Sequence, residues 1–150
     1  MDYGQTANAA ADLGRAWAAL SEVTAYPRWT ASMSVVDPLD GPALHVGNRF
    51  RIKQPGLPPT VWRVSDVRDG ESFEWEARFP GVHTVAYHRL SRNSDGTTRI
   101  TVGVRQTGPL AGLIALLTAA RTRRFLQMEA AGLKAAAESA SAARPADGTA

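Results

Sequence analysis

The residues of this sequence best placed for chemistry are its three histidines and one short arginine cluster. His88 lies in Val82–Leu90, and counting by twos along a strand puts it on one side with Thr84, Ala86 and Leu90. There a histidine can orient a ligand, act as general acid or base in a cyclisation or dehydration, or rest in a core, satisfied by its neighbours. His83 is an odd number of residues away and faces the other side, while His45 falls in a loop. A three-histidine metal site is therefore not expected, and no metal is assigned. Arg121 and Arg124 lie in helical register close to Leu110, Leu113, Ile114 and Leu117. An arginine there can bind a carboxylate, phenolate or enolate oxygen, snorkel along the helix flank, or pair with a carboxylate such as Glu129.

Several chemistries are excluded or disfavoured. The chain has no cysteine, which removes disulfides, thiolate metal sites and cysteine nucleophiles. No Gly-x-Ser-x-Gly elbow or phosphate-loop glycine spacing occurs, so neither a serine triad nor nucleotide chemistry is expected, and no cofactor is assigned. The net charge of +3 and pI near 9.8 invite a nucleic-acid reading. The arginines are scattered along alternating segments, however, and Arg121, Arg123 and Arg124 lack interleaved stacking aromatics, so no nucleic-acid partner is expected. The first residues carry no basic stretch followed by an apolar run, and Leu110–Ala120 is too short for a bilayer, which needs about 20 residues. The expectation is a cytoplasmic protein without an integral membrane segment, a monomer or a homodimer.

These residues need elements to position them. Gly108-Pro109 punctuates the chain, and Leu110, Leu113, Ile114, Leu117 and Met128 then recur at helical spacing within an Ala-rich stretch. One long helix is predicted to about Glu138, with the leucine stripe inward. Asp12 is a good N-cap for a first helix to Ser21, with Trp17 on its buried side, and Tyr26-Pro27-Arg28-Trp29 suits a second short turn. Tyr3 to about Ala9 reads as a weak strand because Ala and Asn favour strands poorly.

Between the helices, Met33–Asp37, Arg49–Lys53, Val61–Val67, Phe73–Ala77, Val82–Leu90 and Arg99–Gln106 read as strands joined by Gly- and Pro-rich turns. Short turns between consecutive strands mean an antiparallel meander. Alternation sends Phe50, Ile52, Trp62, Val64, Phe73, Trp75, Ala77, Ile100, Val102 and Val104 inward with the His88 set. Arg49, Arg51, Lys53, Arg63, Glu74, Glu76, Arg89, Arg99 and Arg105 form the outer face, where cross-strand ion pairs are expected. Trp62 and Trp75 either line a pocket or simply fill the core.

The order of helix, short helix, meander and long helix resembles the START/Bet v 1-like helix-grip superfamily, and within it the polyketide cyclase/dehydrase-like (SRPBCC) proteins. Ala16-Trp17, Tyr26-Pro27-Arg28-Trp29, Gly47-Asn48-Arg49-Phe50, Gln54-Pro55-Gly56, Trp62, Phe73-Glu74-Trp75 and His88-Arg89-Leu90 carry it. Gly108-Pro109 and the Glu129–Glu138 end of the long helix complete it. It departs at the N-terminus, where the usual β-branched strand and Ala-Pro are missing.

The resemblance implies an α+β helix-grip domain over residues 1–138, a curved antiparallel sheet of about seven strands around the long C-terminal helix; residues 139–150 show no apolar periodicity and are expected to form a disordered tail. The resemblance also implies a cavity for a hydrophobic small molecule, lipid-like or polycyclic aromatic. The residues expected to line it are Trp29, Phe50, Trp62, Phe73, Trp75, Ala86, His88, Val102, Leu113, Leu117, Arg121 and Arg124. The alternatives are an aromatic polyketide cyclase or aromatase using His88 and a mouth arginine, and a membrane or protein interaction module through Leu110–Leu126.

Overall fold

Alternating segments with short turns pair with their neighbours in order, and only the first and last strands must meet over a distance. The computed structural model describes residues 2–143, with side chains to Ser139. It contains β1 (Asp2–Ala9), α1 (Leu13–Ser21), a 3₁₀ helix (Val23–Arg28), β2 (Val35–Pro38) and β3 (Arg49–Lys53). There follow β4 (Thr60–Arg68), β5 (Ser72–Phe79), β6 (Val82–Arg92), β7 (Thr98–Thr107) and α2 (Ala111–Ala143). The strands form one curved seven-stranded antiparallel sheet in the order β1-β7-β6-β5-β4-β3-β2. Its concave side grips α2, which makes this a helix-grip α+β fold. Asp12 caps α1 as expected, its Oδ1 accepting from the Arg15 backbone N–H at 2.9 Å.

The strand faces follow the period-two reading closely. Phe50, Ile52, Val64, Phe73, Trp75, Ala77, Thr84, Ala86, His88, Leu90, Ile100 and Val102 are buried, with Trp62 and Val104 half-buried. The outer face carries the expected ion pairs, among them Arg63–Glu76 at 3.1 Å and Arg105–Glu74 at 3.2 Å. With their arginines about half exposed and screened by water, such pairs contribute about 0–1 kcal/mol each.

Two elements differ from the sequence expectation. β1 is a full strand of eight residues, paired along its length with β7. Its support is non-local. Tyr87 on β6 stands opposite Gly103 on β7, which in turn stands opposite Gly4 on β1. A Cβ on Gly103 would fall 2.1 Å from the Tyr87 ring, and one on Gly4 would fall 3.2 Å from its hydroxyl. The ring thus lies over both glycines and donates its hydroxyl to Asp2 Oδ1 at 2.6 Å. Burial and then that bond push the Tyr87 phenol up to about 12, so it stays a donor.

The second difference is in α2. The helix runs on past Glu138 to Ala143, and residues 144–150 of the expected tail lie outside the described residues. Its inward face is also not the leucine stripe. Leu110, Leu113, Leu116 and Leu117 are 45%, 55%, 77% and 72% exposed, while Ala111 and Ala115 are buried. Farther along, Leu126, Ala130, Leu133 and Ala137 are buried in the core, and α2 as a whole packs against β1 and α1. Gly132 makes the closest approach, since a Cβ there would sit 2.2 Å from the Trp29 carbonyl oxygen.

Candidate functional site

Small and polar residues on the inward side of α2's first half leave space between helix and sheet. That space is a cavity of about 380 Å³, within the range of small-molecule sites. The sheet contributes Ile52, Trp62, Trp75, Val82, Thr84, Ala86, His88, Val104 and Gln106 to its wall. The helix contributes Ile114, Thr118, Arg121, Thr122, Phe125, Leu126 and Glu129. The lining grades from exposed Pro58, Phe79, Pro80 and Arg121 to buried Trp75, His88, Leu126 and Glu129, which defines a mouth and a floor.

The mouth is framed by the β3–β4 loop, the β5–β6 turn and α2. Lys53 Nζ fixes that loop by donating to the carbonyls of Gln54 (2.9 Å) and Leu57. The Arg121 guanidinium lies against the same loop, its Cζ 3.9 Å from where a Cβ on Gly56 would be.

A buried polar pair sits at the floor. His88 Nε2 and Glu129 Oε1 are 2.7 Å apart, with side chains 2% and 9% exposed. His88 Nδ1 is buried and has no hydrogen-bond partner among the described residues. Orphaned buried N–H groups are rarer than orphaned acceptors, which assigns the imidazole proton to Nε2, donating to Glu129. The imidazole is held from two sides: Phe73 stacks on it at 4.1 Å and 6°, and Trp75 meets it edge-on at 5.7 Å and 89°. Tyr26, fully buried nearby, donates its hydroxyl to the Leu20 carbonyl at 2.5 Å. Burial, and then the Glu129 charge, push its phenol well above the usual range, so it is a fixed donor and not a proton carrier. A histidine–carboxylate pair in such a setting can hold or pass one proton and can bind a polar atom of a ligand.

The expected site residues divide cleanly. Trp62, Trp75, Ala86, His88 and Arg121 line the cavity. Phe50, Phe73 and Val102 are fully buried core residues; Phe73 serves the site from behind, through its stack on His88. Trp29 packs against Tyr26 at 4.4 Å and against α2 at Gly132, and does not close the cavity. Leu113, Leu117 and Arg124 point outward, because the inward arc of this turn belongs to Ala111, Ala115, Thr118 and Thr122. Glu129 pairs with His88 and not with Arg124. The inward polar set is thus larger than His88 and Thr84, adding Gln106, Thr118, Thr122 and Glu129. A signal for these existed: Thr118, Thr122, Phe125 and Glu129 recur at helical spacing along one row. His83 faces outward and meets Glu76 at 2.8 Å. Among the described residues no cluster of potential metal ligands occurs, and no helix is long and apolar enough to cross a membrane.

A sheet gripping a helix over an apolar cavity is the architecture of Bet v 1-like proteins. Residues 4–138 match the family described as polyketide cyclase/dehydrase and lipid transport, and the chain belongs to that family. No curated protein matches it in sequence. Among solved structures it is similar to the KanY protein, with a TM-score of 0.73 at 16% identity over 92% of this chain and 97% of that one. It is similar to protein MLL2253 from Mesorhizobium loti (TM-score 0.69, 14% identity, 91% and 96% covered). It also resembles Ara h 8.0201 (TM-score 0.61, 11% identity, 93% and 98% covered). At these identities the likeness speaks for the fold.

Proposed function

We propose that the protein, as a single domain over residues 1–138, binds a flat hydrophobic small molecule, lipid-like or polycyclic aromatic, between α2 and the sheet. The observation that carries this is the cavity itself: about 380 Å³, walled mainly by Trp62, Trp75, Phe125 and aliphatic side chains, with a minority of polar groups among them. Burying apolar ligand surface there supplies affinity, and the polar groups set orientation. Family membership supports the same role. The proposal includes a cytoplasmic location and a monomeric or homodimeric state. Native mass spectrometry of protein purified from its own host tests it: a copurified aromatic or lipid adduct is expected. A chain that carries none, and that fails to take up a hydrophobic fluorophore at saturable stoichiometry, refutes it. A cyclase version would use His88 and Arg121, without Arg124. Unchanged turnover in His88→Ala would remove His88 from catalysis.

One observation favours an additional reading. Leu113, Leu116 and Leu117 are exposed beside the cavity mouth, and Arg121, Arg123 and Arg124 are exposed on the following turns. Leucines entering the bilayer interface and guanidinium groups meeting lipid phosphates suit an anionic membrane surface. Co-sedimentation with phosphatidylglycerol vesicles, but not with phosphatidylcholine vesicles, is expected. It should be lost in the Leu113→Ser/Leu116→Ser/Leu117→Ser variant at unchanged melting temperature. Absence of binding to the anionic vesicles rules the reading out.

A further inference from the structure

We propose that the His88–Glu129 pair makes the cavity select hydrophobic ligands carrying a hydroxyl donor, a phenol or an enol, directed at the Glu129 carboxylate. This rests on the ligand-binding reading and narrows it to a chemical class. Glu129 lines the cavity at its floor and is buried. Its Oε1 is committed to His88 Nε2 at 2.7 Å, and this is its only side-chain hydrogen bond among the described residues. The second carboxylate oxygen has no donor among the described residues and is not among their fully buried unpartnered atoms, so it is the acceptor left for a ligand that reaches the floor. A buried carboxylate is costly unless its oxygens are hydrogen-bonded, and an O–H···O⁻ bond is among the stronger ones available.

The geometry is fixed before any ligand arrives. His88 is clamped by the Phe73 stack and the Trp75 edge, so it holds Glu129 in one orientation. Trp62 and Trp75 pack on each other with ring centroids 6.2 Å apart and a 44° tilt, giving the cavity an aromatic wall against which a ring bearing the hydroxyl can lie. A ketone or a plain hydrocarbon of the same shape offers the carboxylate no donor and leaves the oxygen desolvated, a penalty that sharpens discrimination.

The test is displacement of the fluorophore N-phenylnaphthylamine at neutral pH by β-naphthol, naphthalene and β-acetonaphthone. A purely apolar cavity would favour naphthalene, the more hydrophobic of the first two. The wild-type protein is expected instead to bind β-naphthol about tenfold tighter or more than naphthalene. Glu129→Leu should abolish that preference while still binding naphthalene, which also reports that the variant is folded. Glu129→Gln keeps an oxygen for His88 and turns the other terminus into a donor, so β-acetonaphthone should gain relative to β-naphthol. Equal binding of β-naphthol and naphthalene by the wild type, or a preference that survives in Glu129→Leu, overturns the inference while naphthalene binding leaves the cavity reading intact. If no ligand displaces the fluorophore from wild type, the cavity reading fails and the inference falls with it.

Discussion

β6 carries two histidines, one on each face, and each meets a glutamate of another element at nearly the same distance. His83–Glu76 measures 2.8 Å on the outer face, and His88–Glu129 measures 2.7 Å on the inner one. Their surroundings differ. Glu76 also faces Arg63 at 3.1 Å and Arg78 at 3.9 Å, and His83 is 29% exposed. Burial would raise Glu76, but hydrogen bonds from His83 and Arg63 outweigh it and hold the carboxyl below its usual range. The inner pair has aromatic rings around it and a cavity in front of it. The outer pair is one contact in a charged network that water can replace. The inner one is an isolated polar contact with a ligand-sized space beside it. Equal distances therefore say little, and so does carboxylate burial, since the Glu76 and Glu129 side chains are 13% and 9% exposed; the burial of the imidazole and the arginines beside Glu76 decide what each pair can do.

The largest expected effect breaks the inner pair. His88→Leu leaves the Glu129 carboxylate buried without its donor and should lower unfolding stability by about 3 kcal/mol in urea titrations. The double variant His88→Leu/Glu129→Leu should return to within about 1 kcal/mol of wild type, because an apolar pair carries no desolvation cost. If His88→Leu cost no more than His83→Leu, the two pairs would be equivalent and the comparison would collapse.

A smaller effect sharpens the contrast within α2, whose first half borders the cavity and whose second half is close-packed. Ala130→Leu, at a position 4% exposed in the packed half, should cost about 2 kcal/mol through overpacking. Thr122→Leu fills the cavity, so it should leave the melting temperature nearly unchanged while reducing fluorophore affinity at least about tenfold. Overpacking of similar size at both positions would mean the space beside Thr122 is not available to a ligand.

The smallest effect concerns the outer pair. Glu76→Gln should cost about 1 kcal/mol or less at neutral pH. Its signature is in pH dependence. A carboxyl lowered in the folded state stabilises it above the unfolded value of 4.5 and loses that contribution as pH falls through the folded value. The wild type should therefore lose stability below about pH 4.5 more steeply than Glu76→Gln. Parallel acid limbs in melting experiments would show that Glu76 contributes no such linkage.

Strand faces were legible in the sequence because a pleated strand alternates regardless of its partners. Phe50, Trp75, Thr84 and His88 fell on the inner face by counting alone. The helix face was not legible in the same way. Leu113 and Leu117 have the stronger apolar spacing, but the inward arc is given to Ala111, Ala115, Thr118 and Thr122, whose small size keeps the cavity open. Hydrophobicity marks the face that would fill a core, not the face that leaves one hollow. β1 is firmer than its composition implies for a related reason. Its Ala, Asn and Gly are poor strand formers alone, and what anchors it is Tyr87 lying across Gly103 and Gly4.

By itself, then, the sequence determined the element order, the antiparallel meander, the two faces of each strand, the capped first helix and the family resemblance. These depend on residues near one another or on a fixed period. Tertiary structure alone decided which arc of α2 faces the sheet, that Phe50, Phe73 and Val102 stand behind the cavity wall, and that Glu129 is the partner of His88. Those two residues are 41 positions apart, on elements whose rotation is set by packing. No periodicity along one chain reports the angle at which two elements meet.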